Sequence, residues 1–421
     1  MRPGPDMRRR QFIHAAGAFA VLASTGCATI TGKAKPHVVV VGGGYGGATA
    51  AKYLRMWSEG AIDVTMVEPN ASFISCPLSN LVLGGSRQLD QLTMPYAALS
   101  AQHGVRVIHS TATDIDPVRR TVKLANGQVL PYDRLIVSPG VDLMFDELPG
   151  SGTALHAWKA GPQTLALRRA LEQMADGGTF VMTIPPAPYR CPPGPYERAC
   201  QVAHYFSRAK PRSKVLILDA NDDVVSKGAL FKRIWAQRYP GMIDYRRQFK
   251  AVRAESNAVF SELGERVEGA VLNIIAPQRA GAIAVQTGLA NVNRRWCGVD
   301  FLSFESTAAA NIHVLGDAIQ TSPLMPKSAH MANQHAKVCA AAVVDLLSGR
   351  AHDAKPVLTN TCYSFISDTE VIHVASVHAY DAAQKTLLVV PGSGGVSADA
   401  SAQEGIYAFN WARNIWADTL A

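Results

Sequence analysis

The sequence predicts an α/β fold of two Rossmann-like dinucleotide-type domains, the second without a nucleotide, plus a C-terminal α+β interface domain. Three observations carry the prediction. A valine run enters a glycine-rich turn and a helix at residues 37–57. A second strand–loop–helix–strand unit at 177–219 has prolines where such glycines would stand. A late strand at 312–314 runs into Gly316-Asp317. At 421 residues the chain also exceeds what a single hydrophobic core usually organises.

The first thirty residues form a separate segment. Arg8-Arg9-Arg10-Gln11-Phe12-Ile13 precedes an apolar stretch from Ala15 to Ala23 and then small residues through Ala28. That order reads as an export signal, and the paired arginines followed by Phe and Ile look like the twin-arginine type, which implies a periplasmic protein. Ser24-Thr25-Gly26-Cys27 is an imperfect lipoprotein site, so cleavage and lipidation at Cys27 both stay open. The formal charge is +8, of which residues 1–30 supply +3 (four Arg against Asp6), leaving about +5. No basic run interleaves with aromatics, so nucleic acid is not an expected partner. Hydrophobic residues make up 48% and charged residues 18%, with no apolar run after residue 40 long enough for a transmembrane segment.

The first domain is predicted over 36–150. His37 to Val41 is a strand; Gly42 permits the tight turn, Gly44 lets the backbone approach a pyrophosphate, and Gly47 lets helix and strand pack closely. The helix N-terminus offers unpaired N–H groups and a positive dipole end to phosphates. Asp63 to Glu68 is the next strand, and Glu68 stands where a carboxylate accepts hydrogen bonds from ribose hydroxyls. The middle domain is predicted over 151–285. Its first strand is followed by six prolines and one glycine between Pro185 and Pro195, and proline lacks the N–H that a phosphate needs. NAD(P)H is therefore not the expected electron source. The chain is predicted to return to the first domain over 286–355 and to end in an interface domain over 356–421. There Phe409, Trp411, Ile415 and Trp416 lie on an amphipathic segment suited to covering a cofactor or a partner.

The glycine turn, Tyr132 to Gly140 and Ile312 to Ala318 together resemble the two-dinucleotide-domain flavoprotein reductases. That resemblance implies FAD in the first domain. Pro139 and Gly140 lie where the chain leaves it, and Gly316-Asp317 places a carboxylate at the ribityl or pyrophosphate part. The competing reading of Asp317, as a cap for the helix starting near Ser328, has several loop residues against it.

A narrower resemblance follows from Ser75-Cys76-Pro77-Leu78-Ser79-Asn80, Cys191-Pro192-Pro193-Gly194-Pro195-Tyr196-Glu197-Arg198, Met325-Pro326-Lys327-Ser328, Asn360-Thr361-Cys362-Tyr363-Ser364 and the closing Trp411 to Asp418. These motifs look like the flavoprotein subunit of flavocytochrome c sulfide dehydrogenase, over essentially the whole chain after the signal. The resemblance implies FAD joined covalently through Cys76, a redox disulfide between Cys191 and Cys362, and sulfide as substrate. It implies a c-type cytochrome as partner; no Cys-x-x-Cys-His occurs, so no haem is expected on this chain. Lys327 belongs to one of the matching motifs. Trp296-Cys297-Gly298 departs from the family, which usually has Pro in place of Gly298.

The residues themselves leave alternatives. Cys76 is either the flavin link or a buried inert thiol. Cys191 and Cys362 form either a redox or a structural disulfide. Glu197 is either a proton carrier or an ordinary helix-start acid. Cys200, Cys297 and Cys339 read as structural, and the twelve histidines show no metal-ligand spacing. Sulfide:quinone oxidoreductase shares the expected fold and substrate, and a non-catalytic sulfur carrier is the reading from another class.

Overall fold

Val38, Val39 and Val40 are completely buried, as expected of a parallel strand covered on both faces. In the computed structural model, which describes residues 34–421, they form strand β1 (His37–Val41). The export signal read from residues 1–30 lies outside the described residues. Helix α1 (Tyr45–Trp57) follows the glycine turn, and β2 (Asp63–Val67) pairs parallel to β1. The sheet is extended by β3 (Arg106–Ile108) beside β2 and β4 (Arg134–Val137) beside β1. Strand β5 (Val141–Leu143) then carries the chain out of this domain.

The middle domain repeats the plan. Strand β6 (Thr179–Ile184), helix α2 (Gly194–Ala209) and strand β7 (Lys214–Asp219) are followed by α3 (Gly228–Arg238), β8 (Ile243–Arg246) and β9 (Val271–Ile274). Its parallel sheet has the order β8-β7-β6-β9. Asp219 ends β7 as an acid ends the corresponding strand in the first domain, but its carboxylate is already engaged. It accepts from Tyr196 Oη at 2.7 Å, Tyr245 Oη at 3.1 Å and the Asn221 N–H at 2.9 Å. Tyr189 and Tyr196 are buried in the same core. Protein side chains thus take the hydrogen bonds that a ribose would make, and the proline-filled loop above them offers few N–H groups.

Strand β10 (Gln278–Ala280) pairs antiparallel with β5, so the outgoing and returning chains run side by side. Strand β11 (Ile312–Val314) then joins the first sheet beside β4, completing the order β11-β4-β1-β2-β3. Helix α4 (Ala329–Leu347) begins at Ser328, whose hydroxyl accepts from the Met331 N–H. The cap of this helix is therefore Ser328, not Asp317.

The C-terminal segment is an antiparallel sheet of β12 (Val357–Phe365), β13 (Val371–Asp381) and β14 (Thr386–Val389), crossed by α5 (Ala402–Leu420). The end of α5 is clasped to α1 and α4. Lys52 Nζ donates to the carbonyls of Ala417 and Asp418, each at 3.1 Å, and Asp418 accepts from Tyr53, Asn333 and Lys337. No helix among the described residues is long and apolar enough to cross a membrane.

Candidate active site

The glycine turn shows why each glycine stands where it does. Gly42 has φ +99°, and a Cβ there would lie 2.3 Å from the Ser138 carbonyl oxygen. At Gly47 a Cβ would lie 1.8 Å from the Gly42 carbonyl oxygen, so the first turn of α1 can press onto the end of β1 only without a side chain. Gly44 faces open space and lines a cleft of about 990 Å³. Glu68 ties the turn down, accepting from the Gly43 N–H at 2.7 Å and the Asn70 N–H at 2.9 Å while also lining the cleft. A carboxylate has lone pairs to spare for further donors.

Along the same cleft lie Pro139, Gly140, Gly316 and Asp317. Asp317 Oδ1 is buried and has no hydrogen-bond partner among the described residues. Burial pushes this carboxyl above its ordinary range, with Arg190 and Lys327 pulling it back. An orphaned acceptor of this kind, an open Gly44 and a cleft of this volume fit an extended dinucleotide such as FAD. Lys327 does something other than line the site. Its Nζ is turned inward onto the carbonyls of Asp317 (2.9 Å) and Ile319 (2.5 Å) and over the Trp296 ring, so it shapes the turn that presents Asp317. Gly47 likewise acts by packing and does not face the cleft.

Cys76 reaches the cleft from a turn held by three elements. Trp416 Nε1 donates to Tyr45 Oη at 3.0 Å, Tyr45 Oη meets Ser75 Oγ at 2.7 Å, and Ser75 Oγ donates to the Pro77 carbonyl. The C-terminal helix, the first turn of α1 and the Cys76 turn are thereby fixed to one another.

Cys191 and Cys362 line the same cleft. Cys191 has φ +58°, with its N–H donating to the Lys327 carbonyl and its carbonyl accepting from the Gly194 N–H, so it sits in the tight turn that opens α2. Cys362 lies mid-strand on β12, where Asn360 Nδ2 approaches its Sγ at 3.4 Å. Both are free thiols in this structure. The disulfide implied by the resemblance is therefore a statement about an oxidised form. Burial raises the pKa of both thiols, and at Cys191 the neighbouring Cys362 adds to the effect.

Glu197 is buried, not a surface helix-start acid. Its carboxylate accepts from Asn80 Nδ2 at 2.9 Å and the Phe365 N–H at 3.0 Å, and burial raises its pKa. Asn80 in turn accepts from Arg198, whose guanidinium also holds the carbonyls of His156 and Ala157. Lys227 is buried beside the same cluster, with Nζ donating to the Cys362 carbonyl at 3.0 Å and Ser364 Oγ at 2.8 Å. Asn80, Arg198 and Lys227 carry no assigned role in the sequence. Asn80 and Arg198 each belong to a matched motif, which was the available signal, whereas Lys227 has none. Cys200, Cys297 and Cys339 are buried away from the cleft, and no cluster among the described residues could hold a metal ion.

Three parts of the chain match known protein families. Residues 164–276 match a family model described as the central part of the sulfide dehydrogenase [flavocytochrome c] flavoprotein chain. Residues 354–420 match the flavin-binding part of flavocytochrome c sulphide dehydrogenase, and 36–176 match pyridine nucleotide-disulphide oxidoreductase. The chain is 60% identical over 46 residues to the sulfide dehydrogenase [flavocytochrome c] flavoprotein chain of Chlorobaculum thiosulfatiphilum, spanning 11% of this chain and 94% of that sequence. It is 23% identical over 305 residues to mitochondrial sulfide:quinone oxidoreductase of Mus musculus, spanning 69% of this chain and 67% of that protein. Among solved structures, the sulfide:quinone oxidoreductase of Aquifex aeolicus shares the fold with a TM-score of 0.76 at 18% identity, covering 91% of each chain.

Proposed function

Because this chain belongs to the family of flavocytochrome c sulfide dehydrogenase flavoprotein chains, we propose that it is a periplasmic FAD-dependent dehydrogenase that oxidises hydrosulfide at the Cys191–Cys362 pair and delivers the electrons to a c-type cytochrome. One observation carries the reading: the glycine turn, Cys76 and the two thiols line a single cleft although they come from four distant parts of the chain.

With the pair oxidised, hydrosulfide attacks one disulfide sulfur. A sulfur–sulfur bond forms to the incoming atom, the Cys191–Cys362 bond breaks, and the electron pair leaves on the other sulfur as a thiolate. Glu197 lies where a buried carboxyl can hold or accept the proton that the substrate carries, with Asn80 and the Phe365 N–H fixing its orientation. Asp317, Glu68 and the α1 N-terminus would hold FAD, and Cys76 would anchor it covalently. Bound there, FAD supplies a two-electron acceptor that can be reoxidised one electron at a time.

The paired arginines Arg9-Arg10 ahead of Phe12 and Ile13 support export, and the Cys76 motif supports the cytochrome-linked form. A quinone as acceptor is the second reading, favoured by the alignment with the mouse enzyme and by the fold shared with the Aquifex one. The two separate experimentally. After anaerobic reduction by sulfide, stopped-flow mixing with oxidised cytochrome c should restore the flavin spectrum faster than mixing with a quinone analogue. Reoxidation by the quinone alone would overturn the cytochrome assignment.

A further inference from the structure

We infer that Lys227 is a positioning residue of the thiol centre, the fixed counter-cation that holds the negative charge when the Cys191–Cys362 pair is opened. The inference rests on the proposed sulfide chemistry and adds a residue to it.

Lys227 precedes α3 in the middle domain, with φ +57°, and lysine is almost never fully buried without a partner. Here it is 8% exposed, and its ammonium donates two hydrogen bonds to β12 of the C-terminal sheet, the strand that bears Cys362. One partner is the carbonyl of Cys362 itself. The other, Ser364 Oγ, lies two residues along the same strand. Neither partner is an anion, so two neutral acceptors hold a buried charge. The groups near it that are negative when ionised are the two thiols, Glu197 and, with the smallest influence, Glu404 on α5. Burial pushes Lys227 down to about 8, and Cys362, Glu197 and Cys191, in that order, pull it up when ionised. For Cys362 the effect is reciprocal: after burial, the Lys227 ammonium is the largest influence favouring the thiolate.

Opening the disulfide with hydrosulfide moves one negative charge from the nucleophile to the released cysteine sulfur, with no other change in charge. In a buried cleft that charge is costly unless a cation is already in place. Lys227 comes from a different domain than the strand it grips, so it also pins the middle domain against the strand that carries Cys362.

Thiolate formation can be read without any sulfide turnover. The holoprotein is treated with a disulfide reductant, and the pH dependence of iodoacetamide alkylation is followed peptide by peptide at Cys191 and Cys362. In Lys227→Met the alkylation profile of the more reactive thiol is expected to shift upward by about one pH unit, a roughly tenfold slower reaction at neutral pH. Lys227→Arg should restore the wild-type profile. Ser364→Ala, which keeps the lysine and removes only one anchor, should shift it in the same direction by less. Should Lys227→Met fail to fold, the Ser364→Ala and Lys227→Arg profiles decide. A Lys227→Met profile superimposable on wild type overturns the inference, as does an unshifted Ser364→Ala profile when the methionine variant cannot be made. Absence of any reaction between sulfide and the wild-type pair would instead overturn the proposed function, leaving the alkylation result standing.

Discussion

Among the described residues, Cys76, Cys191 and Cys362 are the three cysteines that line the cleft, while Cys200, Cys297 and Cys339 are enclosed in the cores. Motif context separated these groups in the sequence. Their electrostatic setting was not legible there, because Lys227 and Asn80 approach from other elements. The proposed roles lead to different outcomes. Cys76→Ser should bind FAD but release all of it on denaturation, whereas the wild type keeps its yellow colour on a peptide; wild-type release would remove the covalent link. Cys191→Ser and Cys362→Ser should each retain FAD and lose reduction by sulfide, and an unchanged reduction rate would remove the thiol pair from the reaction. Asp317→Ala removes an acceptor with no other partner among the described residues, so it should weaken FAD binding by roughly tenfold, measured by flavin retention on gel filtration, while leaving thermal stability close to wild type.

At the scale of elements, the β1–turn–α1 unit was readable because sterics leave so little choice. Gly47→Ala would drive a methyl group into the Gly42 carbonyl, and the shift needed to relieve it should cost about 1–3 kcal/mol in denaturant unfolding together with much of the bound FAD. The late strand at 312–314 was equally legible from its Gly-Asp ending, and a helix starting near Ser328 was expected, although Ser328 was not read as its cap. The sheet of β12 to β14 was not. Thr361, Cys362 and Tyr363 are all partly buried because they border the cleft, which erases the period-2 pattern that marks a strand. The clasp on α5 was hidden for a related reason, since its partners lie more than 80 positions from Asp418 in sequence. Burial opposes ionisation of Asp418, but Lys337, Tyr53 and Asn333 outweigh it and hold its pKa below the usual range. A carboxylate depressed on folding stabilises above its unfolded pKa, and that stability is lost as pH falls through the folded value. Asp418→Asn should therefore cost about 1 kcal/mol near neutrality, the figure being modest because the group is partly solvated, with the difference from wild type beginning to shrink at about pH 4 and disappearing only below the depressed pKa of the folded carboxyl.

For the whole molecule, the informative contrast is between two domains of one plan. The first presents an open Gly44 and an unpartnered Asp317, whereas the second satisfies Asp219 with its own tyrosines and fills the turn with prolines. The proline loop was visible in the sequence; the tyrosines that complete the substitution were not, because Tyr245 comes from a separate strand. Among the described residues the cleft of the first domain is lined by both thiols and by Ala408 and Trp411 of the C-terminal helix, so reducing equivalents are expected to enter as a small nucleophile. NADH should leave the oxidised flavin spectrum unchanged under anaerobic conditions. The most direct test of the account is stoichiometric anaerobic titration of the purified protein with sulfide, monitored by flavin absorbance. The account predicts complete bleaching that requires both Cys191 and Cys362; a spectrum that sulfide leaves oxidised, or one bleached equally in the serine variants, would contradict it.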